Sequence, residues 1–223
     1  MFIKDAKSIT GGIGFTSKTG FSYGLPARTA CKVGCKLANK EGSTCFGCYA
    51  RGGNYSYPST KTAHKNRLAS VKKLENKAFR KQWVEAMVTL IDNKKKANDP
   101  SMWFFRWHDS GDLVSVAHLE AIAEVAKATP EVKHWIPSKE KDTVKKYRAK
   151  NKMPANMNVR MSHYYVDKET DFGFNSTVAG VYKETNPKGH KCPAILQHKG
   201  CHEVGCRACW NKKVKKVFYK IHR

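Results

Sequence analysis

Between about Ala63 and Asn98 the apolar residues Leu68, Val71, Leu74, Phe79, Trp83, Met87, Leu90 and Ile91 recur at roughly helical spacing, with lysines on the other face. That pattern predicts one long helix, or two with a bend, closed by Asp99-Pro100. The aromatic run Met102 to Trp107 reads as a buried strand ending in His108-Asp109-Ser110-Gly111-Asp112. Val116, Leu119, Ile122, Ala123 and Ala126 predict the next helix, stopped near Thr129-Pro130, and Lys133 to Ile136 a second strand. Ser138 is expected to cap a helix running toward Asn151, with Glu140 and Asp142 in its first turns. Further strands are expected at Met157–Met161, Thr177–Tyr182 and Val217–Ile221. Strands alternating with helices imply parallel βαβ units, and the chain is read as α/β, a partial (open) β/α barrel. Residues 1–60, punctuated by Gly11-Gly12, Gly24, Gly34, Gly42, Gly47 and Gly52-Gly53, read as loops and short extended pieces.

Two divisions follow from this layout: residues 1–187 as the partial barrel with its cysteine-rich N-terminal loop, and residues 188–223 as a cysteine-rich metal-binding segment packed on it. The 223 residues, 40% apolar and 11% aromatic, suffice for a real core and exclude a disordered tail. No apolar run approaches the roughly 20 residues that span a bilayer, and the first residues lack a secretory pattern. A soluble, cytoplasmic protein with no membrane partner is therefore expected.

A net charge of +24 draws the chain toward polyanions, nucleic acid above all. The excess is uneven. Residues 1–60 carry eight Lys/Arg against two acids and residues 188–223 ten against one, whereas residues 101–187 carry thirteen against eleven. Both cysteine-bearing ends are thus basic, although dispersed lysines on a solvated surface need no ligand.

Eight cysteines in a reducing compartment favour metal over disulfides. Cys31, Cys35, Cys45 and Cys48 form C-x3-C-x9-C-x2-C; Cys192, Cys201, Cys206 and Cys209 form C-x8-C-x4-C-x2-C. Neither group has the two C-x2-C knuckles of a zinc ribbon. Irregular spacing in a glycine-rich loop suits a 4Fe–4S cluster, whose sulfurs accept backbone N–H bonds. One or two such clusters are expected. Zinc stays the alternative at the C-terminal group, where His198 and His202 could also ligate.

Functional groups in parallel α/β sheets gather where strands end. His108, Asp109, Ser110 and Asp112 crowd one such end and are candidate catalytic residues; a helix-capping network, with Asp112 or Ser115 as the cap, is the alternative reading. Ser138, Lys139, Arg160 and His163, together with Arg106, would line the same mouth and bind a phosphate or carboxylate of a cofactor, or be ordinary loop charges. Tyr49, Tyr55, Tyr57, Tyr164 and Tyr165 could stack bases.

Leu25-Pro26-Ala27 with Thr29 and Cys31, Cys45-Phe46-Gly47-Cys48-Tyr49-Ala50, the run Phe105 to Asp112, Cys192-Pro193, and Cys206-Arg207-Ala208-Cys209-Trp210 with His222 resemble the bacteriophage gene-product-88 family, from about residue 20 to the C-terminus. A looser resemblance joins the cysteine-rich start and the βα order to radical S-adenosylmethionine proteins, although nine residues separate Cys35 from Cys45. The resemblance implies a phage-encoded iron–sulfur protein, resident in the host cytoplasm, with a fold related to those enzymes. It supplies no reaction. As an enzyme the protein would bind S-adenosylmethionine at an open iron held by Cys31, Cys45 and Cys48, with Asp109 and Asp112 near that cofactor. As a non-catalytic module, zinc would staple loops and the basic ends would grip nucleic acid.

Overall fold

The computed structural model describes residues 1–180 and 189–221. Its strands are β1 (Gly14–Thr16), β2 (Gly20–Tyr23), β3 (Phe104–Trp107), β4 (Lys133–Ser138), β5 (Met157–Ser162), β6 (Ser176–Gly180), β7 (His190–Lys191) and β8 (Lys216–Lys220). They form one sheet in the order β1-β2-β3-β4-β5-β6-β8-β7. Among the described strands only the β1–β2 hairpin is antiparallel, and every other pair is parallel. The sheet does not close, since β1 and β7 remain its edges.

The helices are α1 (Ile3–Thr10), α2 (Lys32–Leu37), α3 (Pro58–Val71), α4 (Lys77–Lys96), α5 (Val116–Ala128), α6 (Lys141–Lys150) and α7 (Pro193–Leu196). On one face of the sheet, Phe105, Trp107, Ile136, Met157 and Met161 join Leu68, Trp83, Met87, Leu119, Ile122 and Val144 from the helices in the main core. On the other face, Trp135 and Val217 pack against Cys201, Ala208, Cys209 and Trp210, with Phe104 and Tyr219 at the margin. β5 lies between both layers and is buried at every position, as a strand covered on both faces must be.

The central strands and helices stand close to their expected places. The 63–98 pattern resolves into α3 and α4, because Asn76 accepts a bond from the Phe79 N–H at 3.0 Å and starts a new helix. Ser138 does not cap α6. Glu140 occupies the N-cap position without a side-chain bond, while Ser138 Oγ accepts the Glu140 N–H at 3.0 Å and donates to Asp112 at 2.6 Å. The expected strand at Thr177–Tyr182 is present as β6, and Val181 and Tyr182 lie outside the described residues. The 187/188 division also lies outside the described residues, and β7 and β8, from the segment after it, belong to the common sheet. Residues 163–175, between β5 and β6, contain no helix. Among the described residues no helix is long and apolar enough to cross a membrane.

Candidate functional site

The N-terminal thiols lie in the loops that follow β2. Leu25 N–H bonds the Ser110 carbonyl at 2.8 Å, which fixes the chain leaving β2 to the chain leaving β3. Cys31 is the N-cap residue of α2, and the loop carrying Cys45 is held by Ser43 Oγ on the Leu37 carbonyl (2.6 Å) and Thr44 N–H on the Tyr164 carbonyl (2.9 Å). Gly34 sits between Cys31 and Cys45. A Cβ there would lie 2.9 Å from Cys31 Cβ and 3.6 Å from Cys45 Sγ, so glycine keeps open the space that both thiols border. Burial pushes the Cys31 thiol up to about 12, with negative charge on Asp112, Cys35 and Cys45 adding to it. Cys45 is also raised by burial, and the Lys139 ammonium opposes that shift. Cys35 differs: it is exposed and its thiol donates to the Arg28 carbonyl.

The motif after β3 splits in two directions. His108, at φ 62°, turns onto α5, with its ring 5.2 Å from that of His118 and neither nitrogen hydrogen-bonded; burial holds its pKa well below the usual range. It does not face the thiols. Asp112 accepts from Ser138 Oγ (2.6 Å), Lys139 N–H (2.8 Å) and Leu113 N–H (2.7 Å), and burial raises it to about 6. Its carboxylate knits the β3 and β4 ends together beneath Cys31 and Cys45, while Ser115 performs the capping of α5 through the His118 N–H at 3.2 Å. Ser110 Oγ donates to the Leu25 carbonyl at 2.7 Å and lies 3.5 Å from His64 Nδ1.

Asp109 belongs to a different buried cluster. Its Oδ2 accepts Tyr55 OH at 3.3 Å, its carbonyl accepts Tyr49 OH, and its Oδ1 has no partner. A Cβ on Gly24 would collide with Oδ1 and come within 2.9 Å of His64 Nε2, so both atoms converge on one glycine. Arg106 adjoins this cluster, stacked 4.9 Å over Trp135 with its Nε unpartnered. Sequence reasoning did not single out His64. The signal was available: His64 and Arg67 share the helical face of Leu68 and Val71, and polar residues on a core face usually have a task.

Of the proposed cofactor-binding residues, Ser138 and Lys139 lie beside the N-terminal thiols. His163 is tied to its own loop, accepting the Thr170 N–H at 2.7 Å and packing on Phe172. Arg160 lies on the sheet face away from the main core, fully buried, and donates to the carbonyls of Ala208 (2.8 Å), Cys209 (2.8 Å), Asn211 (2.9 Å) and Val214 (2.6 Å).

The C-terminal thiols gather on this same face, with Cys201 and Cys209 in the cluster around Trp135 and Trp210. Cys192 N–H bonds the Phe218 carbonyl at 2.7 Å, Cys201 N–H the Lys18 carbonyl at 2.7 Å, and Asn158 Nδ2 the Cys209 carbonyl at 2.8 Å. Burial raises Cys201 to about 11 and Cys209 still further; each also feels Cys192, while guanidinium charges pull the other way, Arg207 and Arg106 on Cys201 and Arg160 and Arg106 on Cys209. His198 and His202 are exposed, and His202 is 3.3 Å from Ser101 Oγ. The histidine near these thiols is His190, with Nε2 3.3 Å from Cys206 Sγ. Among the described residues no three His, Cys, Asp or Glu side chains stand in a metal-enclosing arrangement.

The family model for gene product 88 matches residues 3–212. The chain belongs to that family. The matched span of the gene product 88 member contains all eight cysteines and the Phe105–Asp112 motif, so both thiol groups lie within the family region. It is the phage family that the motifs pointed to. No significant match was found among curated proteins or among solved structures.

Proposed function

We propose that the protein is an iron–sulfur protein of the radical S-adenosylmethionine type in layout, with a 4Fe–4S cluster on Cys31, Cys45 and Cys48 and a second metal centre on Cys192, Cys201, Cys206 and Cys209. The observation that carries the first assignment is Gly34, whose missing side chain leaves room beside two thiols in a loop at the carboxyl ends of parallel strands. The donor chemistry fits: soft thiolates, a lysine charge beside Cys45, and Cys35 engaged elsewhere. Bound there, a cluster with one iron free of protein ligands would supply one-electron reduction of S-adenosylmethionine. The chain's own part is to hold the loop after β2 against the β3 and β4 ends through Leu25–Ser110 and Asp112–Ser138.

For the second centre, Arg106, Arg160 and Arg207 surround buried thiols with positive charge, which favours thiolates and offsets the negative charge of a four-thiolate metal site. His190 beside Cys206 favours zinc there as the second reading, in which the metal staples loops of a nucleic-acid-binding protein without catalysis. In either reading the +24 charge makes nucleic acid the expected macromolecular partner.

Anaerobic reconstitution with iron and sulfide, followed by paramagnetic resonance with and without S-adenosylmethionine, tests the first centre. Visible absorption lost in Cys45→Ala and Cys48→Ala but kept in Cys35→Ala is expected, with a signal that changes when S-adenosylmethionine is added. A colourless protein carrying zinc alone overturns the iron–sulfur reading. A cluster that also needs Cys35 and ignores S-adenosylmethionine makes the centre structural.

A further inference from the structure

The strand pair β5–β6 lacks the outer helix that covers β3–β4 and β4–β5, because residues 163–175 connect it as an extended loop. A groove of about 610 Å³ results, where β5, β6 and β8 begin. Its walls come from α6 (Val144, Arg148), the loop (Phe172, Phe174) and the approach to β8 (Lys212, Lys215). The thiols of Cys31 and Cys45 lie elsewhere, beside Asp112 and Lys139 at the strand ends.

Charge around the groove is one-sided. Lys145, Lys146, Arg148, Lys150 and Lys152 are exposed along α6 and just after it, and Lys213, Lys215 and Lys216 are exposed on the facing segment. Two acids line the groove. Glu169 is paired with Lys216, and Asp171, which accepts the Gly173 N–H at 2.8 Å, leaves one carboxylate against the three cations Arg148, Lys212 and Lys215. Arg148 and Lys215 have no acidic partner among the described residues. Lys212 is half-buried at the groove wall, its Nζ on the Pro154 carbonyl at 2.6 Å, so a cation is kept inside an interior-like wall without a counter-charge. Arg148 also lies 4.8 Å over the half-buried Phe174 ring, which makes a flat cationic and aromatic wall.

A cleft of this volume holds a unit of nucleotide size and cannot admit a duplex. Uncompensated cations along its rim suit a phosphodiester chain, and the Arg148–Phe174 stack suits a base face. We propose that this groove binds single-stranded nucleic acid, with Arg148, Lys212 and Lys215 on phosphates and the Phe174 wall against a base. The inference rests on the nucleic-acid part of the reading above and gives it a place, away from Cys31 and Cys45 and next to the segment that carries Cys209, whose carbonyl the groove residue Asn158 holds.

The test is an anisotropy titration of the full-length protein with a labelled single-stranded oligonucleotide over a salt series, repeated with its duplex. The double variant Arg148→Gln/Lys215→Gln should bind at least about tenfold more weakly and flatten the slope of log K against log salt by roughly 1.4, two phosphate contacts at about 0.7 each. Lys4→Gln/Lys7→Gln, an equal charge change on exposed positions of α1, should stay within about twofold of the parent. Unchanged affinity in the groove variant, or an equal loss in the α1 variant, overturns the groove while leaving nucleic-acid binding standing. No binding at low salt overturns both. Duplex bound as tightly as single strand overturns the single-strand assignment. Circular dichroism on each variant confirms the fold, and both groove substitutions sit at exposed positions.

Discussion

Arg160 Nε donates to the backbone carbonyl of Cys209 at 2.8 Å, joining the centre of the sheet to the last of the eight cysteines. Its other donors reach neighbouring carbonyls, and no carboxylate pairs with it among the described residues. A guanidinium fork can serve several carbonyls at once where an ammonium cannot.

Arg160→Met should therefore strip partners from buried carbonyls and cost on the order of 3–5 kcal/mol. The thermal midpoint should fall by roughly 10 °C. Arg160→Lys should recover only a minor part. Differential scanning calorimetry of the three proteins decides; an unchanged midpoint for Arg160→Met would show that the carbonyls find other donors.

Gly34→Ala places a methyl 2.9 Å from Cys31 Cβ and beside Cys45 Sγ. Alanine favours the helix by about 1 kcal/mol over glycine, which offsets part of the cost of shifting the Cys31 side chain, so the fold should survive. Reconstitution should nevertheless give markedly less visible absorption than the parent, with an unchanged far-ultraviolet spectrum. Full iron incorporation in this variant would remove Gly34 as the basis of the first-centre assignment.

Gly111→Ala probes the turn after β3. Gly111 adopts φ 78°, and a Cβ there would come 2.5 Å from Leu25 Cβ and 2.9 Å from the Leu25 carbonyl. Conformation and collision act together, and a loss of at least about 1–3 kcal/mol is expected, read from the urea midpoint. A neutral result would mean that the loop after β2 moves independently of β3.

The pH dependence has a definite sign. Burial depresses His118 and His134 to about 3 from an ordinary value near 6.5, so each binds a proton on unfolding between those values. Their contributions are complete above about pH 6.5 and are lost as pH falls, at about 1.4 kcal/mol per unit for each group. Asp112 acts oppositely. Burial raises it to about 6, so its penalty above pH 6 is relieved as pH falls toward its ordinary value. Urea midpoints between pH 4 and 6 should drop on acidification, and Asp112→Asn should steepen the drop by about one proton. A shallower dependence in Asp112→Asn would contradict a buried, raised carboxyl.

The alternation of aromatic strands with apolar-periodic helices was enough to place β3, α5, β4, α6 and β5, since each carries its own local pattern and few glycines. Local pattern does not reveal the hairpin Gly14–Tyr23 or α1, whose short, polar segments are defined by contacts such as Tyr23 OH on the Thr10 carbonyl at 2.6 Å. Within the site, cysteine spacing suggests two groups, one after β2 and one in the segment from β7 to β8. What spacing could not say is which way a side chain turns after a strand. His108 and Asp109 are adjacent in sequence, yet the positive φ at His108 sends one ring into the helices and leaves the other residue with Tyr49 and Tyr55. Arg160, expected at the mouth, stands with the C-terminal carbonyls because its position on β5 selects the face but not the partner.

The sheet face away from the main core is covered by residues 201–210: Cys201 N–H meets the Lys18 carbonyl, and Trp210 Nε1 bonds the Phe105 carbonyl at 3.0 Å. During synthesis β2 through β6 are therefore made before their cover, with Trp135 and Arg160 still bare to water. The inner layer can form only once residues 201–214 have followed. A metal held by Cys201, Cys206 and Cys209 would accordingly bind only then, as the inner layer closes over the sheet.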